Sequence, residues 1–189
     1  ADRPADAERS RRPAMTVGFI GLGKMGGPMA ANVAAATPGL VCFDMAGTEA
    51  RMPVGAVAAS SISDLAGRCT IVLISVPDGA ASLAVAREIV ETSDSDVETL
   101  IDLSTIGPKA ATEAANLLRS AGVTYCDGPV SGGAAGARAA TISLMFAGPT
   151  EVLDTNRALL ESFTGNVFNV GDTAGQGQAM KLANNFLSA

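Results

Sequence analysis

The sequence predicts an α/β fold, a doubly wound parallel sheet with helices on both faces. Three observations carry that expectation. Short apolar runs of strand length alternate with helical patterns along nearly the whole chain. One run, TIVLISV at 70–76, is too apolar for anything but the middle of a sheet covered on both sides. A glycine-rich turn containing Gly21, Gly23 and Gly26 joins the first apolar run to the first helical stretch.

Taken in order, residues 1–14 carry seven charges, two prolines and no large apolar side chain, and read as a disordered tail. Asp2, Asp6 and Glu8 make this segment too acidic for a transit peptide. The first strand is the run at 16–20. Gly21 permits a tight strand-to-helix turn, Gly23 leaves the backbone open to close approach, and Gly26 lets the helix pack against the strand. That helix runs to about Ala36, stopped by Pro38 and Gly39. A short strand at 41–44 follows, then a weakly helical stretch and a marginal strand at 55–58. Residues 63–66, Ser-Asp-Leu-Ala, read as a short capped helix. Pro77 and Asp78 end the strand at 70–76, a helix covers 80–91, and 99–102 is a further strand. Pro108 suits the first position of a helix reaching Ala121. Strands at 123–126 and 142–147 come next, then one helix over 149–163 with Leu153, Leu159 and Leu160 inward, and a last strand at 166–170. Right-handed crossovers gather the loops 21–26, Asp44, 76–78, 104–106 and 129–136 along one edge, where a ligand should bind. Ser104, Thr105 and Pro108 also read simply as a helix cap.

Composition narrows the function. At 189 residues the chain can hold one good core and the start of a second domain. Apolar residues make up 48% and charged residues 17%, as in a compact globular protein, and no apolar run is long enough to cross a bilayer. A net charge of −6 argues against a nucleic-acid partner. It leaves room for a small anionic substrate, because helix ends and single lysines reverse the field inside a cleft. Cys42, Cys69 and Cys126 are odd in number and scattered, which points to buried free thiols in a reducing cytoplasm rather than to disulfides or a metal site. There is no histidine, so Ser-His-Asp hydrolysis and His-based proton transfer are excluded. Any proton shuttle must be Lys, Asp, Glu, Tyr or Cys.

Three stretches carry candidate chemistry. The first is the G-x-G-x-x-G turn, with a strand before it, a helix after it and an acidic Asp44 about twenty residues on. This is the fingerprint of a Rossmann-type dinucleotide site, with a pyrophosphate on the helix N-terminus and Asp44 on a ribose. Gly21, Leu22, Gly23, Lys24, Met25, Gly26 and Asp44 are the cofactor-binding candidates; the competing reading is a turn that uses glycine for structure alone. Asp44 favours NAD over NADP, since a 2′-phosphate would meet like charge with no arginine beside it, Arg51 lying seven residues further along. The second stretch is DGPVSGGAAG at 127–136, where Ser131, Gly132 and Gly133 offer a hydroxyl and bare N–H groups to a carboxylate, or else form an ordinary glycine loop. The third is GQGQAMKLANN at 175–185, a helix with Lys181 and Asn185 one turn apart on one face. Lys181 stands amid Ala179, Met180, Leu182 and Ala183, where desolvation would bring its pKa towards the acid/base range. The bland alternative is a surface lysine on an exposed helix.

Together these stretches resemble the β-hydroxyacid dehydrogenases, the family that includes 3-hydroxyisobutyrate dehydrogenase, tartronate semialdehyde reductase and 6-phosphogluconate dehydrogenase. Four blocks match in order: FIGLGKMGGPMAAN at 19–32, DLST at 102–105, DGPVSGG at 127–133 and G-x-G-x-x-x-K-x-x-x-N at 175–185. The resemblance implies NAD-dependent oxidation of a small 3-hydroxy acid, or reduction of the matching aldehyde acid. It implies Lys181 as the general acid/base, Asn185 holding the substrate, and Ser131, Gly132 and Gly133 binding its carboxylate. Thr105 and the turn of Val76, Pro77 and Asp78 would line the nicotinamide side. It also implies a dinucleotide-binding domain over 15–173 and, from 174, the start of an interdomain helix. The family's helical second half, which closes over the substrate and builds a homo-oligomer, is expected to be absent from this chain. Two local departures stand out: Ala140 where the family usually has glycine, and Gly128 in place of a common alanine. Two other readings stay open, a non-catalytic NAD-sensing or scaffold module and an imine-reducing relative, which typically carries a different residue at the position of Lys181.

Overall fold

Period-two alternation along the central strands sends successive side chains into two separate cores. In β1 (Val17–Ile20), Val17 and Phe19 enter one core and Ile20 the other. In β4 (Ile71–Ile74), Ile71 and Leu73 join Phe19, while Val72 and Ile74 join Ile20. β5 (Thr99–Asp102) parts Ile101 from Leu100, and β6 (Thr124–Asp127) parts Cys126 from Tyr125 in the same way. Burial on both faces requires helices on both faces. The first core is covered by α1 (Gly26–Ala36) through Met29, Ala30 and Val33. The second is covered by α2 (Ile62–Ala66), α3 (Gly79–Glu91) and α4 (Pro108–Arg119), through Leu65, Val85, Ile89, Ala111 and Leu118.

This computed structural model describes residues 15–188, so the tail expected at 1–14 lies outside the described residues. With β2 (Val41–Phe43), β3 (Val57–Ala58), β7 (Val130–Ser131), β8 (Ser143–Ala147) and β9 (Asn166–Gly171), nine strands form one sheet. Its order is β3-β2-β1-β4-β5-β6-β8-β7, with β9 paired to β8. From β3 to β6 every pairing is parallel. Among the described residues no helix is long and apolar enough to cross a membrane.

The structure departs from the expected elements in five places. The sheet is not parallel throughout, because β8 runs antiparallel to both β6 and β7. The connection 132–142 between β7 and β8 turns the chain back, so the two strands run antiparallel. The loop expected at 129–136 contains β7 and the start of α5 (Gly133–Ala139). The single helix expected over 149–163 is two, α6 (Thr150–Thr155) and α7 (Arg157–Glu161). Asn156 breaks it: its backbone leaves the helical range at φ −103°, ψ 9°, while both its N–H and its side-chain amide donate to the Val152 carbonyl, at 3.1 and 2.8 Å. The stretch after Asp44 is a series of turns rather than a helix. Finally, α2 is capped by Ser61, whose hydroxyl accepts the Asp64 N–H at 2.9 Å, and not by Ser63.

Candidate functional site

The strand order reverses at β1, which has β2 on one side and β4 on the other, so a crevice opens beyond its carboxyl end. The glycine turn sits there. Gly21 has φ +91° and a Cβ on it would run into the Ser75 carbonyl; a Cβ on Gly26 would run into the Gly21 carbonyl. Those two glycines are needed for packing. Gly23 is different, since a Cβ there would meet nothing within 4 Å. Beside it, α1 has no side-chain cap and no acidic residue in its first turn. In its first turn the Gly27 N–H donates to the Gly23 carbonyl at 2.9 Å and Pro28 has none, so an anion would draw on the N–H groups of the turn and of Gly26. Lys24 is exposed and Met25 half-buried at the same turn.

Asp44 lies at the end of β2. Its Oδ2 accepts the Leu22 N–H at 2.6 Å and its Oδ1 accepts the Ala46 N–H at 2.8 Å. The Leu22 amide is therefore committed within the protein rather than bare. Arg51 was expected to stand apart from Asp44, but the turns after β2 fold back and bring its Nε to 3.9 Å from the carboxylate.

Further along the edge, Ser104 works as a connector and not as a helix cap. Its hydroxyl accepts the Val76 N–H at 2.9 Å, and the cap position of α4 is Gly107, which has no side chain to offer, with Pro108 opening the helix. The Ser104 N–H donates to Asp102 Oδ1 at 2.9 Å, and the Ser82 hydroxyl donates to Asp102 Oδ2 at 2.5 Å. Asp102 is fully buried, and desolvation holds its carboxyl above the ordinary range despite those donors. Pro77 and Thr105 are exposed on this edge, Val76 is half-buried, and the Asp78 carboxylate caps α3 through the Ala81 N–H at 2.8 Å.

The third part is built on α8 (Gln176–Leu187). Lys181 is only 8% exposed and burial lowers its pKa from 10.5. The desolvation does not come from its sequence neighbours: Ala179, Met180, Leu182 and Ala183 all face solvent. It comes from the sheet side, where α8 buries Gly177, Gln178 and Lys181 as one stripe. Ser131 is half-buried, while Gly132 and Gly133, with φ +131° and +64°, expose their backbone. The Asn184 amide, which the sequence did not single out, donates to the Ser131 hydroxyl at 3.2 Å. Asn185 is exposed one turn beyond Lys181. A cavity of about 410 Å³ opens here, lined by Ser131, Gly132, Met145, Phe168, Met180 and Asn184. Asn184 adjoins Asn185 in the chain, and only the rotation of α8 decides which of the two meets Ser131.

Residues 16–171 match the family described as the NAD binding domain of 6-phosphogluconate dehydrogenase. A 3-hydroxyisobutyrate dehydrogenase from Pseudomonas aeruginosa is 37% identical over 175 residues, which is 90% of this chain and 58% of that protein. An NAD-dependent L-serine dehydrogenase of the same organism is 35% identical over 185 residues, 92% of this chain and 59% of that protein. Among solved structures, Mycobacterium tuberculosis 3-hydroxyisobutyrate dehydrogenase with L-serine is similar with a TM-score of 0.83 and 31% identity, over 93% of this chain and 60% of that one. The chain thus spans about three-fifths of the length of the relatives it matches.

Proposed function

The chain belongs to the β-hydroxyacid dehydrogenase family, as its NAD-binding domain, and on that premise we propose that it serves the oxidation of a small 3-hydroxy acid, or the reverse reduction, with Lys181 as general acid/base. The observation that carries this reading is a buried lysine, with no ion pair among the described residues, on a helix at the cofactor edge of a chain without histidine. The open backbone at Gly23 and the uncapped start of α1 suit the diphosphate of NAD, and Asp44 suits its adenosine ribose. NAD, when bound, supplies the acceptor for a hydride. Lys181, neutral at Nζ, takes the substrate hydroxyl proton in the oxidising direction, and as an ammonium it stabilises negative charge on that oxygen. Ser131 and the N–H groups of Gly132 and Gly133 hold the substrate carboxylate, with the Asn184 amide donating to the Ser131 hydroxyl, and Asn185, one turn beyond Lys181, holds the substrate. We read 15–173 as the dinucleotide domain and α8 as the beginning of an interdomain helix. Three buried unpaired thiols favour a cytoplasmic setting, and Phe186 and Leu187, 84% and 83% exposed, favour a homo-oligomer in the full-length protein.

The test is an NAD titration followed by turnover assays on 3-hydroxyisobutyrate, tartronate and serine, using the full-length protein and its Lys181→Met variant. Turnover of the variant should fall by about 10²–10⁴-fold, with the affinity for NAD within about twofold, since nothing at the glycine cradle changes. Oxidation by the unaltered protein should rise with pH through a pKa below the ordinary lysine value of 10.5. Unimpaired turnover in the variant removes Lys181 from the mechanism; NAD binding without turnover in the unaltered protein would support the binding-module reading.

A further inference from the structure

We infer that Gln178 is a positioning residue that locks the nicotinamide-side loop 104–107 to the helix carrying Lys181, so that one side chain sets both the cofactor edge and the burial of the lysine. The inference rests on the proposed role of Lys181, but its geometry stands apart from it. Gln178 is fully buried. Its Oε1 accepts the N–H groups of Ile106 and Gly107 at 2.9 and 3.1 Å, and its Nε2 donates to the Ser104 carbonyl at 2.9 Å. All of its side-chain polar atoms are spent on one loop. The same residue's main-chain N–H donates to Asp127 Oδ2 at 2.8 Å, while Gly175 N–H donates to Asp127 Oδ1 at 2.7 Å. A carboxylate from the end of β6 therefore pins the first turn of α8, where helix amides lack intrahelical partners.

Close approach is enforced one residue earlier. A Cβ on Gly177 would lie 2.5 Å from the Met145 carbonyl and 2.7 Å from Asp127 Oδ2, so the helix is pressed onto the sheet there. Lys181 follows Gln178 by three positions and shares its face. The lysine is buried because the stripe of Gly177 and Gln178 is docked. The loop, in turn, reaches the cofactor edge through Ser104, whose hydroxyl holds the Val76 N–H and whose N–H is held by Asp102. Val76, Ser104 and Gln178 thus lie on one hydrogen-bonded frame, and Lys181 shares the helix face that this frame anchors.

The charged groups packed around α8 do not offer a competing explanation for the lysine's environment. β8 and β9 carry none. β6 carries Asp127, which is committed to the two amides above. On α4, Lys109 and Glu113 pair with each other at 4.0 Å on the exposed side, and Arg119 hydrogen-bonds Asn116.

The experiment reads Lys181 directly, by NMR titration of its ¹³Cε-labelled side chain in the full chain, with Lys181→Met to assign the signal. Amide exchange at Ile106 and Gly107 is measured on the same samples. In Gln178→Met, which keeps the volume and removes all three side-chain hydrogen bonds, the lysine should titrate nearer 10.5 than in the unaltered protein. Exchange at Ile106 and Gly107 should quicken at least about tenfold, and kcat should fall with KM for the hydroxy acid little changed. Gln178→Glu keeps an acceptor for the two amides and should restore their protection; if Gln178→Met fails to fold, Gln178→Asn, too short to reach the loop, is read in its place. A folded Gln178→Met variant with an unchanged lysine titration overturns the inference. Absence of turnover in the unaltered protein defeats the proposed activity instead, and leaves the lysine titration and exchange readouts to decide the role of Gln178.

Discussion

Asp102 is the residue whose burial has the clearest consequence for stability. Its carboxyl is raised above the unfolded value of 3.8 because desolvation outweighs the donors from Ser104, Ser82 and Tyr125. The folded state therefore holds its proton to higher pH than the unfolded chain. The stabilisation is complete below pH 3.8 and is lost as pH rises through the folded pKa. Asp102→Asn cannot titrate, so its Tm advantage over the unaltered protein should grow between pH 4 and pH 8 in thermal melts, at about 2–4 °C per kcal/mol. Asp102→Ala should lose stability at every pH, because each donor left unpaired costs about 1–3 kcal/mol. A Tm difference for Asp102→Asn that does not change with pH would show that the carboxyl is not shifted. Some residue-scale features were legible in the sequence because they are local: Gly21 and Gly26 follow from the turn they must make, whereas Gly23 has room for a side chain. Ala140 is a departure from the family's usual glycine, and it adopts φ +53°, the only positive φ at a non-glycine among the described residues. Gln178 was not legible, because its partners Ile106 and Gly107 lie 72 and 71 residues away in the chain.

At the scale of elements, helix contact explains a glycine that the sequence left unremarked. Gly79 opens α3 against α4, and a Cβ on it would sit 2.6 Å from the Cβ of Ala110. Gly79→Ala should cost about 1–3 kcal/mol by overpacking. Removing the opposing methyl in Gly79→Ala with Ala110→Gly should recover part of that loss. Urea unfolding of the four proteins of the cycle should give a coupling of at least about 1 kcal/mol; additive losses would mean that the two helices can simply move apart. The strands at 70–76 and 99–102 could be read from their apolar runs and flanking turns. The pair β7 and α5 could not, since a two-residue strand and a Gly- and Ala-rich helix have no period to read. The break at Asn156 was hidden for the opposite reason: Leu153, Leu159 and Leu160 keep a helical spacing across it, and only the backbone of Asn156, at φ −103° and ψ 9°, leaves the helical range.

For the whole molecule, the class of fold was legible and the strand order was not, because pairing is decided by contacts far apart in sequence. That β6 meets β8 antiparallel reflects where the chain turns back between β7 and β8 rather than any pattern within the strands. The resulting sheet places the glycine turn, Asp44, the Val76 turn, Ser104 and α8 along one side, and the proposed chemistry depends on that edge holding a dinucleotide diphosphate beside Gly23. The most direct test is the affinity for NAD of Gly23→Ala against the unaltered protein, each checked by Tm. Because nothing lies within 4 Å of a Cβ at Gly23, the variant should keep its Tm to within a degree or two, while its Kd for NAD weakens at least about tenfold from the methyl standing in the anion's approach. An unchanged Kd in a variant of unchanged Tm would place the cofactor elsewhere and contradict the account.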